Sequence, residues 1–318
     1  MKAWAQRFLR WESMLAAVLV LEFVLFASLS PYFLDLYTLS DATFNFTERA
    51  IVALPLAMLI IAGEIDISVA AIIALSSVSM GLTASSGAGT GAIVCAGLGT
   101  GLGAGMINGA LVTIGRVPSI VATIGTMTLF RGAAYAVLGD RVLKEYPESF
   151  AIFGQGYLVG ALSIELALFM VLALLSGLFL HYTRWGRSIF AVGANPVASR
   201  FAGVPVNRYR FALFAATGLF CGLAAVLLTS RLGSTRPSIA QGWELEIISM
   251  VILGGVSVWG GKGSILGVVL AALVFGLITF GLGLMNIPGI VMSIFVGVLL
   301  IAVVATPALL GRLKAGRA

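Results

Sequence analysis

The sequence predicts an all-α, polytopic membrane protein with about ten transmembrane helices, and three observations carry that prediction. Of 318 residues, 60% are hydrophobic and 10% charged, with a mean hydropathy of +1.08, whereas a soluble domain carries about 25% charged residues. Apolar segments recur along the chain at the length of a membrane span, which needs roughly 20 apolar residues. Lys and Arg gather in alternate connections, as a fixed orientation in a bilayer requires.

The first segment, near 14–30, is too long for a signal-peptide core and no A-x-A-like cleavage site follows it, so it reads as a span. The second and third, near 49–63 and 67–84, are separated only by GEIDIS, and Pro55 disturbs the helix before that turn. The fourth, near 91–114, carries GLGTGLGAGMINGA, whose small residues at helical spacing let backbones approach closely in lipid. The fifth, near 118–138, opens after GRVPS, and the sixth, near 161–181, ends at His181 beside Tyr182 and Arg184, an interfacial position. Four more lie near 211–230, 243–259, 264–284 and 289–306, the last three joined by WGGKGS and MNIPG. Cys95 and Cys221 sit in apolar runs and read as small core residues, with no disulfide framework or metal-site spacing.

With the N-terminus inside, the cytoplasmic connections collect 13 of the 19 basic residues, among them Arg116, Arg184, Arg187, Arg200, Arg208, Arg210 and Lys262. Both termini are then cytoplasmic, and Arg236 is the exception that falls outside. The net charge of +6 is therefore a topology signal and does not point to nucleic acid. VPSIV at 117–121 and IPGIV at 287–291 open spans on opposite faces, which suggests an inverted repeat.

Charges inside apolar segments need an explanation, because an ionised group at bilayer centre costs on the order of 3 kcal/mol. Glu64, Asp66 and Ser68 fall in GEIDIS. One reading is a turn in which Gly63 reverses the chain while Asp66 and Ser68 take free helix N–H groups. The other is a broken helix lining a water-filled path, and the two are compatible. Glu22 lies midway along the first span, and Arg131 in the fifth pairs with a helix end or an acid, or faces a path. Glu165, near a span start, can reach the headgroups. GGVSVWGGKGS fails the phosphate-loop pattern, since GK is followed by Gly and the leading glycine is Val256, so the chain has no nucleotide site of its own.

The longest cytoplasmic connection, 182–210, holds GRSIFAVGANPVASRFAGVPVNRYRF. Asn195 and Pro196 make an N-cap and first helical residue, and Gly203 suits the left-handed position after a helix. A short helix over about 196–202 follows, and two turns are unstable alone in water, so it needs a surface to dock on.

The run at 193–204, G-x-N-P-x-A-S-x-x-x-G-V, resembles the cytoplasmic coupling segment of ribose-type permeases of bacterial ABC sugar importers. GEIDIS resembles the family's G-G-I-D-L-S, with Glu64 in place of a glycine. VPSIVATIGTMTLFRG and ILGGVSVWGGKGSILG resemble two further family motifs, in family order. SDATFNFTE, FGQGY and RLGSTRPSIAQGWELE are most similar to permeases of rhamnose import, with autoinducer-two permeases next. The resemblance implies a single permease domain over 1–318 in the inner membrane that works as a pair of permeases, the second the same chain or a similar one. It implies two ATPase subunits that bind the ATP, and a periplasmic sugar-binding protein that delivers a monosaccharide. In that reading Gly193, Asn195, Pro196, Arg200 and Gly203 transmit the ATPase stroke, and Glu64, Asp66, Ser68, Arg131 and Arg236 belong to the pathway or its gate. An ion-coupled secondary carrier, with Glu22 or Asp66 carrying a proton, is the alternative.

Overall fold

The computed structural model describes the backbone of residues 2–289, 291, 292, 294, 297 and 298, and their side chains from residue 11 onward except Asn45. Helix α1 (Lys2–Leu29) leads into α2 (Leu36–Ile61), α3 (Val69–Ser85), α4 (Thr90–Thr113) and α5 (Ser119–Leu138). The connection after α5 carries a 3₁₀ turn (Glu148–Phe150), the one-turn α6 (Ile152–Gln155) and a small antiparallel hairpin, β1 (Tyr157–Val159) with β2 (Leu162–Ser163). Then follow α7 (Ile164–Tyr182), α8 (Arg184–Ala194), α9 (Pro196–Phe201), α10 (Val206–Leu232), α11 (Trp243–Leu253) and α12 (Ile265–Leu284).

The fold is all-α and polytopic, and six or seven of the ten expected spans are seen among the described residues. Among the described residues, six helices are long and apolar enough to cross a membrane, and α2 makes a seventh if its bend is taken as part of one span. The expected connection over 31–48 is helical from Leu36 onward. The helix is bent by 50° between Leu36–Phe44 and Phe46–Ile61. Thr43 and Thr47 donate back to the carbonyls of Ser40 and Thr43 at 2.6 Å there, the side-chain competition that bends helices. Pro55 does not end α2, which runs on to Ile61. α3, at 17 residues, is about 26 Å long, and α11, at 11 residues, about 16 Å. Both fall short of a bilayer core. The last expected span, over 289–306, lies largely outside the described residues.

α3 and the second half of α2 form the centre. Ile51, Leu54, Leu59, Ile61, Ile72 and Ile73 are fully buried, as expected of helices that are apolar all round. α4 packs on α10 backbone to backbone: a Cβ on Gly101 would lie 2.4 Å from the Gly218 carbonyl oxygen, and one on Gly105 would lie 2.4 Å from that of Phe214. The glycines of α4 thus meet glycines of α10, a partner that the sequence pattern did not name. Cys221 is buried in this seam, but Cys95 is exposed, on the face of α4 turned away from it.

Candidate functional site

The local sequence builds α9 as a short rod. Asn195 Oδ1 accepts from the Ala198 N–H at 2.9 Å, and Pro196 opens the helix. At the far end Gly203 adopts φ +81°, with Gly203 N–H donating to Arg200 O and Val204 N–H to Ser199 O, both at 3.0 Å. That pair of bonds closes the helix with its last carbonyls satisfied. Ser199 faces inward and is buried, whereas Val197 and Phe201, four residues apart and so on one face, are 58% and 91% exposed. Arg200 is exposed, and its Nη2 donates to Asn207 Oδ1 at 3.5 Å.

The rod stands on a junction of backbones. A Cβ on Gly193 would lie 1.7 Å from the Ile61 carbonyl oxygen and 2.6 Å from the Gly261 nitrogen. Gly261 N–H donates to that same Ile61 carbonyl at 2.8 Å. Gly260 and Gly261 take φ +78° and +71°, and Cβ atoms there would come within 3.1 Å of Gly63 Cα and 2.9 Å of Ala194 Cα. Three chain segments far apart in sequence therefore touch where only glycine fits: the end of α2, the end of α8 and the loop between α11 and α12. The α5 entrance joins them, as Ile65 N–H donates to Ser119 Oγ at 3.3 Å and Thr123 Oγ1 to Ile65 O at 3.4 Å. All four motifs singled out in the sequence meet at this point.

Within GEIDIS, Gly63 has φ +84° and turns the chain, with Glu64 N–H returning to Leu59 O at 3.1 Å. Glu64 is buried and pairs with Arg210 Nη1 at 2.9 Å, so the residue standing where the family has glycine ties the turn to the root of α10. Asp66 and Ser68 are fully buried. Asp66 Oδ1 accepts from Ser68 N–H at 2.8 Å and Ser68 Oγ–H at 2.6 Å, and Asn108 Nδ2 donates to Asp66 Oδ2 at 3.1 Å and Ser68 Oγ at 2.8 Å. Ser68 itself makes no cap bond to α3. Asn108 was not among the expected residues. Its place in MINGA, within a run of small residues, hides a polar side chain aimed at the turn.

Arg131 holds three carbonyls, Pro237 O at 2.6 Å and Ile239 O at 2.8 Å through Nη1 and Ala70 O at 3.1 Å through Nη2. It lies about 18 Å along α5 from Ser119. The connection over 233–242 therefore dips to the middle of α5 before the short α11 begins. Irregular backbone at that depth survives only when buried in protein or facing water. Pro237 and Ile239 are buried, while Gln241, Gly242 and the following Leu245 are exposed, as are Leu129, Gly132 and Tyr135 of α5. Arg236 is exposed in the same connection, next to the Pro237 that Arg131 holds. Behind α11, Arg49 pairs with Glu246 and lies over the Trp243 ring, 4.6 Å from its centroid. Arg231 pairs with the buried Glu48 at 2.7 Å. Glu165 is fully buried and does not reach the headgroups, the reverse of the sequence expectation, because β2 and α6 cover the start of α7. Glu48 and Arg49 escaped notice because NFTERA read as the edge of a loop.

Comparison with known proteins completes the picture. The family described as branched-chain amino acid transport system / permease component matches residues 39–304. The autoinducer 2 import system permease protein LsrD of Escherichia coli K12 is 38% identical over 302 residues, covering 92% of this chain and 91% of the relative. The LsrD proteins of Shigella flexneri and Escherichia coli O157:H7 match to the same extent. No solved structure matches the chain. A multi-pass helical chain with this junction, matched to the family over most of its length, belongs to the permease components of the branched-chain amino acid transport system family, the non-catalytic membrane subunits of ABC importers.

Proposed function

We propose that this chain is one of two permease subunits of an importer that moves a monosaccharide of rhamnose type across the bacterial inner membrane. The observation that carries the reading is α9: a capped helix with an apolar, exposed face of Val197 and Phe201, set on a base of backbone contacts through Gly193. A surface patch of that kind marks a protein contact, and the ATPase subunit of an ABC importer is the partner it fits. ATP is bound there and not on this chain. A push on α9 reaches the end of α2, the α11–α12 loop and the entrance of α5 through the same junction. The path runs along the exposed side of α5 and the 233–242 connection, with Arg131 holding that connection and Arg236 at its outer edge. Ten spans in two inverted halves and cytoplasmic termini complete the arrangement, and a periplasmic sugar-binding protein delivers the solute. The relatives carry autoinducer 2 in their names, which makes it the second candidate for the cargo.

Uptake into vesicles tests this, with ATP inside, the ATPase subunit and the binding protein present, and labelled rhamnose or autoinducer 2 outside. ATP-dependent uptake of rhamnose is the expected result, and Arg200→Glu abolishes it while insertion is retained. Uptake that persists without ATP and collapses with a protonophore would favour an ion-coupled carrier.

A further inference from the structure

A groove of about 310 Å³ opens between α2, α7, α8 and α10, lined by Met58, Leu172, Phe179, Trp185, Tyr209 and Ala216 among others. Its walls are almost wholly apolar, and its size is that of a small-molecule site. The groove is fixed in place by the α7–α8 joint, where a Cβ on Gly186 would lie 1.8 Å from the Leu180 carbonyl oxygen. One end is closed by Trp185 and Tyr209, whose rings lie 4.6 Å apart. Aromatic residues of this kind sit at the level of the lipid headgroups.

Charge gathers at that same end. Arg184 and Arg208 are the chain neighbours of Trp185 and Tyr209, and both are exposed. Among the described residues, the ion pairs engage Arg49, Arg210 and Arg231 and neither of these two. Glu12, the acid that acts on His181 at this end of α7, accepts a hydrogen bond from Ser264. An apolar slot with aromatic rings and uncompensated guanidinium groups at its mouth matches a molecule with an alkyl tail and a phosphate head. Basic pockets between helices on the cytoplasmic side take such headgroups.

We propose that this groove holds one acyl chain of an anionic phospholipid, with its phosphate bound by Arg184 and Arg208. The lipid then packs against α8 and the base of α10, the two helices between which the coupling rod is slung. The assignment rests on the groove and its charges and is independent of the cargo.

Native mass spectrometry of the purified protein tests it, with phosphatidylglycerol or phosphatidylcholine of identical chains added in detergent. Wild type retains a phosphatidylglycerol molecule to higher collision energy than phosphatidylcholine. Retention weakens by about fivefold for each arginine changed to Gln, as expected for one cation near an anionic headgroup. Ala216→Trp fills the groove and removes the bound lipid, and Leu175→Trp on the facing wall does the same if the first variant aggregates. Equal retention of both lipids, or undiminished phosphatidylglycerol binding in a filled groove, overturns the proposal. Loss in the filled groove without loss in the arginine variants overturns the headgroup assignment.

Discussion

Gly193→Ala is the sharpest perturbation of the junction. The new methyl would lie 1.7 Å from the Ile61 carbonyl oxygen and 2.6 Å from the Gly261 nitrogen, so it occupies the space between a donor and acceptor now 2.8 Å apart. All the opposing atoms are backbone, and no rotamer change relieves them. Overpacking of this kind costs about 1–3 kcal/mol, and separating the buried Gly261–Ile61 hydrogen bond adds about 1 kcal/mol or more. A loss near 3 kcal/mol is expected, together with parting of α8 from the end of α2. Gly203→Ala is the control, since its Cβ meets nothing within 4 Å and only the φ of +81° is strained, at about 1 kcal/mol. Heat-challenged size exclusion of the assembled transporter and ATP-driven uptake into vesicles read the two effects. Gly193→Ala lowers the midpoint well below that of Gly203→Ala and uncouples ATP hydrolysis from uptake. A Gly193→Ala transporter with wild-type midpoint and uptake refutes the junction as a mechanical link.

Further outcomes follow from the same geometry. Glu64→Arg strands a second cation beside Arg210 and impairs folding, and Arg210→Glu added to it restores expression and uptake; breaking a buried pair costs about 3–5 kcal/mol, so failure of the reversed pair to rescue would show the contact is incidental. Asp66→Ala leaves Ser68 N–H without its acceptor and removes one of the two that Asn108 Nδ2 has, and a loss of about 2 kcal/mol in stability is expected, read by thermal unfolding in detergent; lost transport at full stability would instead place Asp66 on the path. Arg131→Met releases the carbonyls of Pro237 and Ile239, and cysteines introduced at Gln241 become more reactive to water-soluble reagents; unchanged reactivity would deny Arg131 its hold on the connection.

Much of the fold was legible because the signals were local. Apolar stretches placed the helices near α1, α4, α5, α7, α10 and α12, and Asn195, Pro196 and Gly203 gave both ends of α9. Harder to see were features that depend on what lies opposite. SDATFNFTERA is polar enough to read as a loop, yet Thr43, Thr47, Glu48 and Arg49 are absorbed by β2, α7, α10 and α11 around the first half of α2. The stretch over 243–259 is apolar enough for a span, but Gly254 and Gly255 stop α11 after 11 residues, because its other end starts from a connection that Arg131 draws inward. The GEIDIS acids show both sides of the problem. Sequence named Asp66 as a turn residue, but its second partner, Asn108, and the Arg210 that answers Glu64 come from distant helices. The Gly260–Gly261 contact with Gly63 and Ala194 was likewise hidden, since a glycine pair in a loop says nothing about which backbone it will meet.

The central claim is that α9 receives force from a separate ATPase, and cross-linking from its exposed tip tests that most directly. Phe201→Cys is introduced with the exposed Cys95 changed to Ser, and the transporter is assembled with its ATPase subunit and treated with a short thiol cross-linker with and without ATP. The account predicts a product joining position 201 to the ATPase whose yield changes on ATP binding. Labelling of position 201 only from the periplasmic side, or no ATPase product in a transporter that still imports, contradicts it.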